Sequence, residues 1–403
     1  MIPFSPPRLD QKTVDEVSKV LLSGWITTGP RTKEFEVKLS EFLGTRKTIC
    51  LSSATAGMEL VLRWLGVKEG DEVIVPAYTY CATANVVVHC GAKPVMVDIN
   101  TKDFNISVEE IKKNITEKTK AIIPVDIGGL PCDMDEIMDL VQQTDVVSKF
   151  NAQTEVQEQL GRILVMSDAA HSVGASYKGK KVGAISDFTV FSFHAVKNLT
   201  TAEGGAVCMN LPESFDLDAV YQNLNVMSLH GQSKDALAKS KIGNWRYDVS
   251  EPGYKCNMMD IQAAIGLVEL ERYPETLERR REIVQYYDER FKQKEWAIRP
   301  LFEDEEKTSS FHLYLLRVKG ANEAQRDQIM SKIFEKQVSV NVHFQPLPLL
   351  TAYKKRGYQM ADYPKAFGAY ENEISLPVYF NLTDDNIKTV IDVVIESVEE
   401  VIG

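Results

Sequence analysis

The chain reads as an α/β protein with a mainly parallel central sheet and a smaller C-terminal α/β domain, and two observations predict this. Seven short apolar runs have strand length: TICLSS (48–53), DEVIVP (71–76), KPVMVDI (93–99), AIIPVDI (121–127), RILVMSD (162–168), FTVFSF (188–193) and GAVCMN (205–210). Helical patterns separate mainly the first five, and continuous apolar strands joined through helices indicate a parallel sheet covered on both faces. Beyond IQAAIGLVELERY (261–273), a long helical stretch broken near Pro274 leads to the strand-like runs HLYLLRV (312–318) and VSVNVHF (338–344) and to closing helices. The expected division is a large domain over residues 1–265 and a small one over 266–403, with the N-terminal segment able to pack on the small domain.

Taken in order, Thr13 and Glu16 have capping-box spacing before apolar Val14, Val17, Val20 and Leu21, so a first helix is expected to end at Ser23 and Gly24. LSSATAGMELVLRWL (51–65) is a strand end followed by small residues that open an amphipathic helix. The amides of Ala54 and Thr55 could meet a phosphate there, because a helix N-terminus carries unsatisfied N–H groups and a favourable dipole. Serine and threonine at a helix start also serve simply as caps. The stretch 141–161 is expected to extend a surface helix and loop. RILVMSD then delivers Asp168 at the C-terminal end of a buried-type strand, the edge where open α/β sheets bind ligands. FSFHAVKNLTTAEGG (191–205) sets Lys197 between an aromatic run and a small-residue turn. An amine that condenses with an aldehyde has to be desolvated and fixed so that part of it is unprotonated near neutral pH. Lys197 and Asp168 together are what pyridoxal phosphate requires: an amine for its aldehyde and an anion that keeps its ring nitrogen protonated.

The ordered landmarks SGWITTGP (23–30), SSATAGM (52–58), GDEVIVPAYTY (70–80), DAAHSVGASYKGKKVG (168–183), the Lys197 segment and PGYKCNMMDIQAA (252–264) carry a further reading. Through them the chain resembles the DegT/DnrJ/EryC1/StrS sugar aminotransferases, and the resemblance covers nearly its whole length. The wording is closest to the branch that aminates a UDP-linked 4-keto-pentose for arabinose modification of lipid A. The resemblance implies the fold type I, aspartate aminotransferase-like architecture of pyridoxal-phosphate enzymes. It implies that Lys197 binds the cofactor and shuttles the proton, that Asp168 pairs with the pyridine nitrogen, that His171 lies near the ring and its phenolic oxygen, and that Tyr80 stacks on the ring face. Ala54, Thr55 and Ser192 would hold the phosphate, Lys255 and Asn257 would reach into a neighbouring subunit's site, and His343 would lie near the sugar. Without the resemblance, Tyr80 reads as a core aromatic, His171 as a satisfied buried histidine and Ser192 as a plain strand residue. The implied substrates are an amino-acid donor, glutamate, and a nucleotide-linked keto-sugar, handled by a homodimer with shared sites. Alternatives are a regulatory or catalytically silent protein of the same fold and a dehydratase, the latter disfavoured by the intact Lys197.

The chain departs from the family pattern in several places. Ser167 stands where glutamate is usual, Ala202 where glycine is usual, and Lys255 and Asn257 where asparagine and arginine are usual. DIGG (126–129) replaces a segment in which histidine or tyrosine near Asp126 lies close to the cofactor and sugar.

Composition narrows the function classes. A chain of 403 residues with 44% hydrophobic content can bury a large core. A net charge of −11 argues against general nucleic-acid binding, which needs a concentrated basic surface. A sugar diphosphate needs only a local one, and Lys239, Lys241 and Arg246 are candidates, with Trp245 available for stacking. The six cysteines show no CxxC pair or metal spacing, so free thiols in a reducing compartment and no metal site are expected. MIPFSPPRLDQ has no basic region followed by an apolar run, and no later segment has the length of a membrane span, so a cytoplasmic protein is expected. No GxGxxG turn follows the first strand, which argues against a nicotinamide enzyme.

Overall fold

The computed structural model describes residues 1–233 and 246–403. All seven apolar runs form strands of one sheet: β1 (Lys47–Leu51), β2 (Glu72–Pro76), β3 (Lys93–Val97), β4 (Thr119–Ile122), β5 (Leu164–Asp168), and, past a short hairpin of β6 (Ser176–Tyr177) and β7 (Lys180–Lys181), β8 (Phe188–Ser192) and β9 (Gly205–Met209). Their order is β1-β9-β8-β5-β4-β2-β3. The pairings β2–β3, β2–β4, β4–β5 and β5–β8 are parallel, as the intervening helices require. Only β9 runs against its neighbours β1 and β8. The segment between β8 and β9 holds no helix to carry a crossover, so the chain turns back antiparallel around Lys197.

The first helix, α1 (Gln11–Ser23), ends as expected at Gly24, whose φ of 75° is left-handed. Its cap differs from the expectation: Asp10, three residues before Thr13, accepts the Thr13 N–H at 3.2 Å. The apolar residues of α1 are largely uncovered; Val20 is buried, whereas Val14 and Leu21 are more than half exposed and Leu22 is 88% exposed. After α2 (Pro30–Leu43) and β1, α3 (Ala54–Leu65) packs Met58, Val61 and Leu65 into the main core beside Val75, Phe188 and Val207. The 141–161 stretch is more than a surface extension. Its short helix Glu155–Leu160 brings fully buried Gln157 to donate to the Leu65 carbonyl at 3.0 Å, and the Thr154 hydroxyl donates to the same oxygen at 3.2 Å. Those bonds satisfy a carbonyl that the end of α3 leaves without an intrahelical partner.

A second sheet joins β10 (Ala297–Ile298), β12 (Tyr314–Val318) and β13 (Glu373–Leu376), and the two-residue β11 (Lys307–Thr308) pairs with β6. The run VSVNVHF is not one of these strands. Both edges of β12 are taken by β10 and β13, so residues 338–344 make only single bridges, Val338 to Ile2 and Asn341 to Ser375. The closing helix Asp384–Ile402 buries Ile387, Val390, Ile391, Val394 and Val398 on one stripe against Tyr287, Leu316 and Ile374. Each such aliphatic side chain contributes roughly 1.5 to 3 kcal/mol of burial. The helix Asp260–Glu271 runs across residue 265 and buries Ala263 and Leu270 in one cluster with Phe191, Ala206 and Cys208 of the large sheet. Among the described residues no helix is long and apolar enough to cross a membrane.

Candidate active site

The carboxyl edge of β5 opens into a cavity of 490 Å3. Asp168 ends that strand at 5% exposure, with Oδ2 accepting the Thr83 hydroxyl at 2.8 Å and Oδ1 accepting the Ala170 N–H at 3.2 Å. Burial pushes its carboxyl up, while these two donors and the charge of Lys197 hold it down. Lys197, half-buried, lines the same cavity. Its amine is lowered from the ordinary 10.5 to about 8 by burial, with Asp168 opposing. The backbone around it is pinned on both sides. The Lys197 N–H donates to the His194 carbonyl at 2.9 Å, Asn198 donates to the Ser310 carbonyl at 2.7 Å, and Thr200 donates to the Phe193 carbonyl at 3.1 Å.

Ala54 and Thr55, the first residues of α3, line the cavity together with Ser53, Ser192 and Gly204. Ser53 caps the helix by accepting the Ala56 N–H at 3.1 Å, so the cap and the anion site coexist, with the amides of Ala54 and Thr55 having no acceptor among the described residues. Ser192 faces Gly205 in the β8–β9 ladder. A Cβ at Gly205 would stand 2.5 Å from the Ser53 carbonyl carbon, so glycine lets β9 approach the start of α3. Two bare amides and nearby hydroxyls are the donor set a phosphate monoester needs.

The wall opposite is aromatic and imidazole-rich. Tyr80, 61% exposed, lies 5.9 Å from the Phe344 ring. His171 stacks on Phe344 at 5.6 Å and 23°, and stands 4.4 Å from His312. The His171 Nδ1 accepts the Gly128 N–H at 3.3 Å, and burial and the Lys197 charge hold its imidazole well below its usual range. The same causes lower His343 to about 3. Phe4 stacks on His343 at 5.4 Å and 21°, and the Ser5 hydroxyl donates to the Val196 carbonyl at 3.2 Å.

Lys197, Asp168, His171, Tyr80, Ala54, Thr55, Ser192 and His343 all line this one cavity. Lys255 and Asn257 do not; they are bonded to each other, and Asn257 donates to the Thr28 hydroxyl at 2.6 Å. Arg246 is exposed and also lies off the cavity, while Lys239, Lys241 and Trp245 fall outside the described residues. The departure at Asp126 turns away from the site. Its carboxylate accepts the Ser172 hydroxyl at 2.6 Å and the Cys132 N–H at 3.0 Å, and the neighbouring Val125 lines the cavity instead. Thr83, His312, Phe4 and Phe344 were not legible as site residues. Thr83 was the most accessible of them, as a threonine at the start of a helix following Tyr80.

A half-buried lysine and a strand-end carboxylate on one cavity with bare helix amides define a pyridoxal-phosphate enzyme, and the donor set fits that cofactor. The chain belongs to the DegT/DnrJ/EryC1/StrS aminotransferase family, whose model matches residues 7–395. It is 41% identical to an uncharacterized protein of Methanocaldococcus jannaschii over 99% of this chain and 98% of that one. It is 37% identical to the spore coat polysaccharide biosynthesis protein SpsC of Bacillus subtilis, over 98% and 96%. Among solved structures it is similar to the sugar aminotransferase candidate Spr1654 from Streptococcus pneumoniae. The PMP-form matches at TM-score 0.96 and 47% identity, and the PLP-form at 0.95 and 46%, each covering 100% of both chains. The protein is therefore a sugar aminotransferase of this family, and its cofactor is pyridoxal phosphate.

Proposed function

We propose that the protein moves an amino group from glutamate to the keto group of a nucleotide-linked sugar. The observation that carries this reading is the convergence on one cavity of Lys197, Asp168 and the bare amides of Ala54 and Thr55. When bound, pyridoxal phosphate supplies an aldehyde that takes up the amino group and a ring that stores the electron pair freed at the donor's α-carbon. Lys197 Nζ would hold the cofactor, then, as a free amine, take the donor's α-proton and return it. Its lowered affinity for protons suits both tasks near neutral pH. Asp168 would face the pyridine nitrogen, fixed by Thr83 and Ala170. Tyr80, His171 and Phe344 would close the ring's faces against water. A cavity of 490 Å3 has room for cofactor and sugar, and SpsC, by its name a polysaccharide biosynthesis protein, points to sugar chemistry.

The same reading makes the working unit a homodimer. Lys255 and Asn257 lie off their own chain's cavity, as residues serving a second copy would, and α1 leaves Leu21 and Leu22 uncovered. We also place a large domain at residues 1–265 and a small one at 266–403.

The test is the visible absorbance of the purified protein loaded with pyridoxal phosphate. Bleaching by glutamate and recovery with one member of a panel of UDP- and dTDP-linked 4-keto-pentoses and 4-keto-hexoses would identify donor and acceptor together. A loaded protein that glutamate leaves unchanged would overturn the donor assignment. Recovery with 2-oxoglutarate but with no sugar would overturn the acceptor assignment.

A further inference from the structure

His343, on the cavity wall, is held through both its backbone and its ring, and the cofactor does not explain these contacts. The Tyr78 hydroxyl donates to its carbonyl at 2.5 Å, and its own N–H donates to Glu373 Oε2 at 3.0 Å. Its ring lies between Phe4 and Phe344, the latter edge-on at 5.1 Å and 86°. Its Nδ1 stands 2.9 Å from Ser375 Oγ, which in turn stands 2.6 Å from Glu373 Oε1. Ser375 and Glu373 are both 0% exposed. With Nδ1 committed, Nε2 is the nitrogen left for a ligand in the cavity that His343 lines.

A hydroxyl has one hydrogen, so this chain has only two consistent arrangements. With Glu373 ionised, Ser375 donates to Oε1, Nδ1–H donates to Ser375, and Nε2 is a bare acceptor. With Glu373 protonated, each bond reverses: Glu373 donates to Ser375, Ser375 donates to Nδ1, and Nε2 carries the hydrogen. In both, Oε2 still accepts the His343 N–H. The imidazole stays neutral throughout, because burial and Lys197 disfavour its cation.

We propose that Glu373 and Ser375 are positioning residues that set which nitrogen of His343 carries the proton, and so whether the cavity offers the acceptor sugar a lone pair or an N–H. Naming the sugar as the ligand rests on the function proposed above; the coupling itself does not. Burial pushes the Glu373 carboxyl up to about 8, where the balance is poised. Arg317 and Arg326 act on it, it acts in turn on the Tyr78 hydroxyl, and Lys197, His171 and His312 face the imidazole. Of these, Arg317 and Arg326 favour the ionised arrangement.

The experiment is 15N NMR of the histidine-labelled holoenzyme at pH 6.5 and pH 9.5, with the His343 signals assigned by their loss in His343→Gln. The expected result is a neutral ring at both pH values, with the proton on Nε2 at the lower and on Nδ1 at the higher. In Ser375→Ala that exchange of tautomers is expected to vanish. The variant's KM for the acceptor is expected to rise about fivefold, one hydrogen bond's worth, while bleaching by glutamate keeps its wild-type rate. One unchanged tautomer across pH in the wild-type protein would overturn the proposal even if Ser375→Ala did not fold, and so would an exchange that persists in that variant. Failure of every sugar to react would instead overturn the function proposed above, with the NMR result standing on its own.

Discussion

Thr83 donates its hydroxyl to Asp168 Oδ2 at 2.8 Å, joining the first turn of α4 (Ala82–His89) to the end of β5. Hydrogen bonds to charged groups contribute about 1.5 to 3 kcal/mol net, and this one favours the ionised form of a carboxyl that burial pushes the other way. Thr83→Val keeps the shape and removes the donor. Its kcat is expected to fall roughly tenfold, the equivalent of about 1.4 kcal/mol, with weaker cofactor retention measured by dialysis. Unchanged values for both would mean that Ala170 and Lys197 alone hold Asp168 ionised.

Lys197 makes the cofactor-free protein's stability depend on pH. Its folded-state proton affinity is depressed from 10.5 to about 8, so the unfolded chain binds more protons across that window. Stability contributed through Lys197 therefore rises with pH between about 8 and 10.5 and is fully restored only above the upper value. Lys197→Met, which has no proton to lose, is expected to be more stable than wild type at pH 7.5, by roughly 3 kcal/mol, with the gap closing near pH 10.5. Urea unfolding of both proteins at the two pH values reads the difference. The variant is also expected to lose turnover while keeping its fold.

Ala202 has a φ of 67°, the left-handed conformation that a Cβ disfavours. The turn holds it there, its N–H donating to the Thr200 hydroxyl at 3.0 Å. Ala202→Gly is expected to stabilise the protein by about 0.5 to 1 kcal/mol, the relief of strain being partly offset by a looser unfolded chain. A melting temperature equal to or below that of wild type would show that the loop after Lys197 had already absorbed the strain.

Shared sites can be tested by mixing two inactive variants. Lys197→Ala fails at one chain's residue and Lys255→Ala at the residue proposed to serve its neighbour. Unfolded together and refolded in equal amounts, they are expected to recover about a quarter of wild-type activity, since half the dimers are mixed and each holds one intact site. No recovery, with each variant dimeric by light scattering, would place Lys255 in its own chain's service.

The seven strands of the large sheet were readable because each is a buried apolar run of strand length, and Asp168 and Lys197 were readable because each interrupts such a setting with a charge. The cap of α1 was misplaced because Asp10 and Thr13 both fit the local pattern, and only the 3.2 Å bond decides between them. VSVNVHF has a strand's alternation, but pairing depends on whether an edge is free, which no local pattern reports. The unread part of the site has the same cause. Phe4, Thr83, His312 and Phe344 come together from separations of tens to hundreds of residues, and Ser375 and Glu373 mark themselves only through what they hold.

The first few residues are stitched across the molecule, with Ile2 bonded to Gln337 and Ser339, Phe4 against His343 and Ser5 against the loop of Lys197. An affinity tag or fusion partner joined at residue 1 would therefore load a segment whose Phe4 and Ser5 line the pocket. Gly403, exposed at the end of the closing helix, is the better point of attachment for labels, immobilisation or display, and kinetic constants from protein tagged at the two ends should be expected to differ.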